Sequence, residues 1–377
     1  MESHLIPLTE FLSEHFSFQS ARLKCLAHFI ICLLKSKRVN LTVLSQVFDS
    51  LAKPSSCHRR LQRFLAEIAF DQKDVAKAIV ALIGLKKQNQ WTLILDRTNW
   101  KLGGIHLNVL YLAVAFKGVA IPLFFTVLED KKQGNSDHLD RIDLVEMFVE
   151  TFGSKVISSL LGDREFIGSL WINYLEKHEI PYVFRLKEKG QMMANSRGKL
   201  VRTYHLFQDL APGKGVCLGK RKIGRANPYE SCVSAYRNHK GDLIVLMHAQ
   251  RAQNPIETYV HRWQIECMFK AFKSNGFNIE ETHVTKPDRF MTLLSVVALA
   301  FCLAYKQGIC LVKEMPQLLK LKKHGSPPKS IFRVGLDCLQ NVLTNMMKRM
   351  REIKKRLRAI LKPLLENKKS IQETFVM

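Results

Sequence analysis

Residues 91–128 read WTLILDRTNWKLGGIHLNVLYLAVAFKGVAIPLFFTVL, and this stretch decides the fold class. Its apolar runs predict three strands, at residues 91–95, 106–116 and 119–128. Lys117-Gly118 separates the last two runs and predicts a hairpin turn between them. The first run ends directly at Asp96. The stretch therefore predicts three meandering strands, with a carboxylate at the end of the first.

The residues that follow alternate between helix and strand patterns. Amphipathic helices are predicted at residues 137–152 and 166–177, and strands at residues 156–161 and 181–186. Three strands followed by helix, strand, helix and strand predict an α/β fold with a ribonuclease-H-like mixed sheet and flanking helices. A flavodoxin-like doubly wound sheet would instead need a helix between its first strands.

The charge of the chain points to a polyanionic partner. Its 58 Lys and Arg residues exceed its 33 Asp and Glu residues, which gives a formal net charge of +25. In a chain of ordinary globular composition, this excess favours nucleic acid, with an anionic membrane surface as the alternative. Residues 91–186 are the exception, with 10 basic and 12 acidic side chains. An acidic segment between basic ones suits a cation site surrounded by phosphate-binding groups.

Several other classes of function have no support in the sequence. Neither GxxxxGK[ST] nor GxGxxG occurs, so nucleotide hydrolysis and dinucleotide binding have no visible site. Nine cysteines without a CxxC pair argue against a structural zinc site and a disulfide framework. The longest apolar run, residues 291–305, is shorter than the roughly 20 residues of a membrane span. We therefore expect a cytoplasmic protein with no membrane partner, whose residues 289–305 form a buried helix.

The N-terminal region carries a candidate DNA-binding helix. Residues 57–68, CHRRLQRFLAEI, predict a helix capped by Ser55 or Ser56. Its apolar residues recur at helical spacing, which leaves three arginines facing outward: Arg59, Arg60 and Arg63. Together with the helix predicted at residues 41–51, this pattern suits a helix-turn-helix-like DNA reader. An amphipathic surface helix would show the same pattern.

Asp96 and Asp163 share a context, because each directly follows an apolar strand-like run. Carboxylates at strand ends can hold two Mg²⁺ ions, roughly 4 Å apart, for phosphodiester cleavage. Either residue taken alone is also typical of a turn or a helix cap. A third acid, Glu266, lies in the helix predicted at residues 254–274.

Four polar residues of that helix are predicted to share one face within about 60° of arc: Tyr259, Arg262, Glu266 and Lys273. Trp263 lies beside this face. A carboxylate among cationic groups suits metal binding next to DNA phosphates, and a solvated face with ordinary charge pairs would look the same.

The spacing Tyr-x2-Arg-x3-Glu-x6-Lys resembles the signature of the bacterial insertion-sequence transposases of family four, the hairpin-forming members of the Asp-Asp-Glu superfamily. LDRTNW around Asp96 and LGDREF around Asp163 resemble the contexts of their first and second catalytic acids, and Glu266 falls where the third should be. The resemblance covers roughly residues 90–300. SSCHRRLQRF is similar to their N-terminal DNA-binding part.

The resemblance implies a cut-and-paste DNA transposase. Asp96, Asp163 and Glu266 would be catalytic and would hold two Mg²⁺ ions, for which Mn²⁺ can substitute. The enzyme would bind terminal inverted repeats, nick the ends, form and open a hairpin, and join the 3′-OH to target DNA. Further DNA contacts would come from five residues: Tyr259, Arg262, Lys273, Arg164 and Trp263. Its partner would be double-stranded DNA, bound by a homodimer at the bacterial nucleoid.

The implied domains are a helical DNA-binding domain at residues 1–89, a catalytic domain at residues 90–310 and a basic helical C-terminal region at residues 311–377. A β-rich, basic insertion at about residues 187–250 interrupts the catalytic domain. In the C-terminal region, residues 346–364 predict a basic amphipathic helix that suits a partner chain, DNA or simply solvent.

One feature departs from the family pattern. Related transposases stack a Trp of the insertion on a flipped base, whereas none of the four Trp residues lies within residues 187–250. Tyr229, Tyr236 or Trp263 would have to replace it. Two alternatives stay open: a ribonuclease-H-like nuclease that cuts without joining, and a DNA-binding protein descended from a transposase.

Overall fold

The computed structural model describes residues 5–128, 136–320, 327–345 and 356–360. The chain forms two compact units. The sheet unit contains residues 88–98 and 108–267, and the helical unit contains the rest of the chain. The three-domain division of the chain stays a prediction.

A ten-stranded mixed sheet forms the core of the sheet unit. Its strands are β1 (Trp91–Leu102), β2 (Ile105–Phe116), β3 (Val119–Val127), β4 (Ile157–Gly162), β5 (Tyr182–Arg185), β6 (Met192–Ala194), β7 (Leu200–Arg202), β8 (Gly215–Ile223), β9 (Tyr229–Arg237) and β10 (Leu243–His248). Their order is β3-β2-β1-β4-β5-β10-β9-β8-β6-β7, and β1, β4 and β5 run parallel. Two helices flank the sheet, α6 (His138–Phe152) and α7 (Ser169–Lys177). The predicted α/β class, a mixed sheet with flanking helices, is confirmed.

The first strand is longer than predicted. β1 continues past residue 95 because Thr98, Trp100 and Leu102 are buried while the residues between them are not. This alternation is the period of two that a half-buried strand shows. The prediction stopped where the continuous apolar run stops and missed the alternation. The β2–β3 turn is confirmed at Lys117-Gly118, whose φ values of 47° and 89° suit a two-residue hairpin.

The β-rich segment after β5 extends the same sheet. β10 pairs antiparallel with β5, with Met247 opposite Phe184. β9 and β8 then continue outward from β10. The segment predicted as an insertion therefore adds a second, antiparallel half to the sheet.

The helical unit is built around one long helix. Its helices are α1 (Ile6–His15), α2 (Ser20–Ser36), α3 (Leu41–Gln46), α4 (Pro54–Glu67), α5 (Gln72–Ile83), α10 (Pro287–Glu314) and α11 (Ile331–Thr344). α10 packs against α2, α5 and α11. The α10–α11 crossing admits only glycine at two positions: a Cβ on Gly308 would lie 2.0 Å from the Ile331 oxygen, and a Cβ on Gly335 would lie 1.9 Å from the Ala304 oxygen.

α10 also exceeds its prediction of residues 289–305. Lys306, which ended the apolar run, donates from Nζ to the Leu82 carbonyl oxygen, so the helix continues with Leu311 still buried. By length and composition α10 could cross a membrane. However, 78% of its apolar window is buried, as in the core helix of a globular unit.

The region of α4 differs from its prediction in detail. α4 begins at Pro54 with Lys53 as the N-cap residue and without a side-chain cap bond, so neither Ser55 nor Ser56 caps it. Proline at the first helical position needs no N–H partner, which makes it a natural start. α3 ends at Gln46, before the predicted residue 51. The helix predicted at residues 346–364 lies outside the described residues, apart from residues 356–360, which are helical.

Candidate active site

Asp96 lies on β1 in the sheet unit, with its side chain 13% exposed. Its Oδ1 accepts the backbone N–H of Arg97 at 2.8 Å, and its Oδ2 accepts Nη1 of Arg262 at 3.0 Å. Burial raises the pKa of Asp96 to about 7, and the Arg262 guanidinium opposes this shift. Burial leaves the charged form of this carboxyl poorly solvated, so a nearby cation stabilises that form most strongly.

Asp163 lies beside Asp96 because of strand register. β1 and β4 are parallel neighbours, and Leu95 pairs with Gly162, so the next residue on each strand is an aspartate. Adjacent strands are about 4.8 Å apart, which brings both carboxylates to one edge region of the sheet. Asp163 is more exposed than Asp96, and its Oδ1 accepts the backbone N–H of Arg164 at 2.7 Å.

Two aromatic rings pack closely around the glycine immediately before Asp163. A Cβ on Gly162 would lie 3.0 Å from the Phe184 ring and 3.1 Å from Phe166. The close packing of these two rings holds the end of β4 in place, and with it the backbone of Asp163.

Glu266 reaches the site from the helix α9 (Trp263–Phe272). Its Oε1 lies 3.4 Å from Nη2 of Arg262, whose other nitrogen contacts Asp96. Burial works to lower the pKa of Arg262, but neighbouring groups, led by Asp96 and including Asp163 and Glu266, hold that pKa above its usual value. All three predicted acids therefore act electrostatically on one guanidinium.

This donor set fits a hard divalent cation, because carboxylate oxygens are the ligands that Mg²⁺ prefers. Across the described ranges, no group of three or more His, Cys, Asp or Glu residues already has the arrangement of a metal site. The Arg262 guanidinium instead contacts Asp96 at 3.0 Å and Glu266 at 3.4 Å. The positive charge of Arg262 therefore already lies where the carboxylates of Asp96 and Glu266 converge.

The helix that carries the signature is not continuous, so the prediction of one α-helix over residues 254–274 was wrong. Tyr259 ends the short helix α8 (Pro255–Tyr259), a 3₁₀ turn follows at Val260–Arg262, and α9 begins at Trp263. A 3₁₀ turn winds more tightly than an α-helix, so the positions computed for one regular α-helix do not hold.

Tyr259 nevertheless interacts electrostatically with two of the acids. Burial raises its pKa, while Arg262 opposes the shift and Asp163 and Asp96 add to it. Within the described part of the chain, its shielded hydroxyl oxygen has no hydrogen-bond partner. A buried hydroxyl without a partner costs free energy, which a ligand could recover by accepting its hydrogen bond.

Three other predicted residues have separate surroundings. Lys273 belongs to the helical unit, where its Nζ lies 5.0 Å from the centroid of the Trp100 ring. Trp263 is 56% exposed, and Arg164 is exposed with Nε 3.9 Å from Asp163 Oδ1. Of the aromatic residues considered for base stacking, Tyr229 is buried and its hydroxyl donates to Met247 Sδ, so it cannot stack on a base.

The sequence prediction missed an ion pair next to the acids. Arg97 donates from Nε to Glu165 Oε1 at 3.1 Å and from Nη2 to Oε2 at 2.9 Å, while its Nη1 contacts the buried Asn108 at 3.2 Å. Arg141 donates to the Glu165 carbonyl oxygen. Arg97 directly follows Asp96, and Glu165 lies two residues after Asp163, so this bidentate pair ties together the two segments that carry the aspartates. Charged residues directly after both acids were the available signal.

The N-terminal arginines lie on α4 in the helical unit and are all exposed. The Arg60 guanidinium stacks 5.6 Å from the Phe48 ring centroid. Arg59 and Arg63 border a cavity that Arg289 also lines.

Residues 87–303, more than half of the chain, match a family model described as the transposase DDE domain. No curated protein is significantly similar to the chain. The matched residues include the three acids, the bidentate ion pair and most of α10.

Proposed function

The chain belongs to the family of transposases with a DDE domain, and we propose that it moves an insertion sequence by a metal-dependent cut-and-paste reaction. One observation carries the proposal: the register of β1 and β4 makes Asp96 and Asp163 neighbours, and Arg262 contacts both Asp96 and Glu266. Three carboxylates around one positive charge are the metal ligands that two-metal phosphodiester cleavage needs.

Asp96, Asp163 and Glu266 would hold two Mg²⁺ ions, or Mn²⁺ in their place. Bound there, the ions would supply Lewis acidity toward the scissile phosphate and favour ionisation of the attacking water or hydroxyl. For the carboxylates to serve as ligands, Arg262 has to release Asp96 and Glu266. Its guanidinium is then free to bind a phosphate of the DNA, for which its fork of donors is suited.

The other predicted DNA-binding residues would contact the DNA end. The Tyr259 hydroxyl, which lacks a partner in the described residues, would donate to a phosphate oxygen. Lys273 and Arg164 would add positive charge along the backbone. Trp263, being exposed, would stack on a base taken out of the duplex, which lowers the cost of unstacking.

The reaction would run in four steps. Water attacks a phosphodiester at the transposon end, which leaves a 3′-OH and a 5′-phosphate. That 3′-OH attacks the opposite strand and releases flanking DNA as the hairpin forms. A second water opens the hairpin, and the regenerated 3′-OH joins target DNA by displacing a 3′-oxygen there.

Two chains would act together, because two ends have to be held before cleavage. With a net charge of +25 on each chain, free copies repel one another until phosphates neutralise them. We therefore place the protein on DNA in the bacterial cytoplasm, with terminal repeats bound by the arginines of α4.

The test is incubation of the full chain with DNA carrying its own terminal sequences, with and without Mg²⁺, followed by denaturing gel electrophoresis. Hairpin ends and joined products are expected. Cut ends without joined products would identify a nuclease instead, and DNA binding without any Mg²⁺- or Mn²⁺-dependent cleavage would identify a DNA-binding descendant of a transposase.

A further inference from the structure

Beside α4, three adjoining cavities, two of them wide open to solvent, lie on the helical unit and are together called the α4 groove here. The cavities share lining residues, and Gln62 borders all three. One wall is α4 and the other is the segment at residues 283–289, which leads into α10. Its lining includes six polar or charged side chains of α4 and of the start of α10: His58, Arg59, Gln62, Arg63, Lys286 and Arg289.

The groove is positively charged. Four of its lining residues are Lys or Arg, and two are His58 and His283. Within the part of the chain that the structure describes, no acidic side chain lines any of its three cavities. The neighbouring cavities differ in this respect, since Glu67 borders both of them.

Both walls of the groove are held in place by contacts within the unit. Thr292 of α10 donates from Oγ1 to the Ile68 carbonyl oxygen, just after α4, at 2.7 Å. Asn40, the N-cap residue of α3, contacts the Glu281 carbonyl oxygen at 3.5 Å. Val284 of this segment is buried, whereas His283, Lys286 and Arg289 are exposed.

We propose that the α4 groove binds the phosphate backbone of double-stranded DNA. Lys286 and Arg289 contact phosphates from one wall, and Arg59 and Arg63 contact them from the other. The Gln62 amide adds a neutral donor at the centre. Charge complementarity selects this partner, because four cations in a groove without an acidic residue in its described lining attract a polyanion and release its counterions. Glu67 and Asp288 line the adjoining cavity on the other side of Lys286 and Arg289 and leave the groove itself cationic.

This inference deepens the proposed function and rests on it for the identity of the DNA, the transposon end. It adds Lys286 and Arg289 to the DNA-binding set, although they lie 20 residues or more beyond Glu266 in the sequence. End binding then depends on residues from both the N-terminal helices and the start of α10.

The experiment compares two double variants of the full chain in EDTA, where no cleavage occurs. Lys286→Gln/Arg289→Gln removes two charges from the groove. Lys313→Gln/Lys320→Gln removes the same charge near the far end of α10, about 40 Å along the helix from Lys286. Affinity for end DNA and for random duplex is measured by fluorescence anisotropy over a range of salt concentrations.

The groove variant is expected to lose about tenfold or more in affinity near 0.1 M salt, equally for both DNAs, and its salt slope should fall by about 2. The control variant should keep the wild-type slope. An unchanged slope in the groove variant, or an equal fall in the control, would overturn the proposal. Because all four residues are exposed, both variants should fold, which their thermal unfolding checks.

Failure of the proposed function would look different. A wild-type chain that binds DNA through the groove, yet neither cuts nor joins it in Mg²⁺ or Mn²⁺, would refute the transposase reaction and leave the groove proposal standing.

Discussion

The acidic site of the sheet unit and the α4 groove of the helical unit handle charge in opposite ways. At the acidic site, charges are compensated inside the protein. Arg262 forms ion pairs with Asp96 and Glu266, and Arg97 forms one with Glu165. In the groove, cations project into open space with no acidic side chain lining it among the described residues. At the acidic site a metal cation can therefore replace the Arg262 guanidinium, whereas the groove can bind an anion.

The largest effect should come from the three acids. Asp96→Ala, Asp163→Ala or Glu266→Ala is expected to reduce cleavage by about a thousandfold or more, as for residues that act as one catalytic unit. End binding should persist, since it depends on the cationic groove. Cleavage of labelled end DNA and anisotropy measure the two properties separately.

Asp209→Asn supplies the matched control, because Asp209 is an exposed aspartate of the sheet unit outside the site. It should cleave as the wild type does. Robust Mg²⁺-dependent cleavage by any one of the three acid variants would remove that residue from the catalytic set.

The stability of the metal-free protein should depend on Asp96 in a defined direction. Its pKa is about 7 in the folded chain, and near 3.9 when unfolded. Between pH 4 and pH 7 the folded state therefore keeps a proton that the unfolded state has lost, so the free energy of unfolding falls as pH rises. The contribution reaches at most about 4 kcal/mol, and Asp96→Asn should remove it.

Urea unfolding in EDTA at several pH values measures this difference between wild type and Asp96→Asn. Parallel stability curves for the two proteins from pH 4 to pH 7 would show that the carboxyl titrates normally. The expected divergence would mean that the buried Asp96 carboxylate, which the reaction requires, lowers the free energy of unfolding.

The Arg97–Glu165 pair should stabilise the protein even though it lies beside the acids. Its side chains are 17% and 19% exposed, so Arg97→Ala leaves a poorly solvated carboxylate and should cost about 2–3 kcal/mol. Glu165→Ala should cost a similar amount. The double variant should be less unstable than the sum of the two, which a double-mutant cycle by urea unfolding tests. Strict additivity would show that the pair contributes no coupling.

The α4 arginines should give the smallest change per residue. Arg59→Ala/Arg60→Ala/Arg63→Ala is expected to weaken end binding by about thirtyfold and to lower the salt slope by up to about 3. If Arg60 stays on the Phe48 ring, the slope should fall by about 2 instead. Unchanged affinity together with unchanged discrimination between end and random DNA would exclude α4 as a recognition helix.

The sequence was most informative where a local pattern determines local structure. The apolar runs predicted the order of strands and helices, and hence the fold class, because strand and helix periods are visible within a few residues. The placement of an aspartate directly after two such runs led to the acidic site. The match of Leu95 with Gly162 follows from pairing between strands, which no single run reveals.

The sequence was least informative where partners are distant along the chain. Arg97 and Glu165 are 68 residues apart, and Thr292 and Ile68 are 224 apart. The Lys306–Leu82 contact, within the part of α10 that the sequence did not predict, is another that periodicity does not record.

The long helix α10 has a consequence for how the chain is made. Synthesis proceeds from the N-terminus, so α10 leaves the ribosome before α11, which covers one side of it. Until residue 344 has emerged, a 28-residue helix apolar enough to enter a bilayer lacks one of its covering neighbours. A chain truncated between residues 314 and 331 would thus leave exposed the apolar side of α10 that α11 covers. The two glycines at the α10–α11 crossing let the late helix close that surface by direct backbone contact.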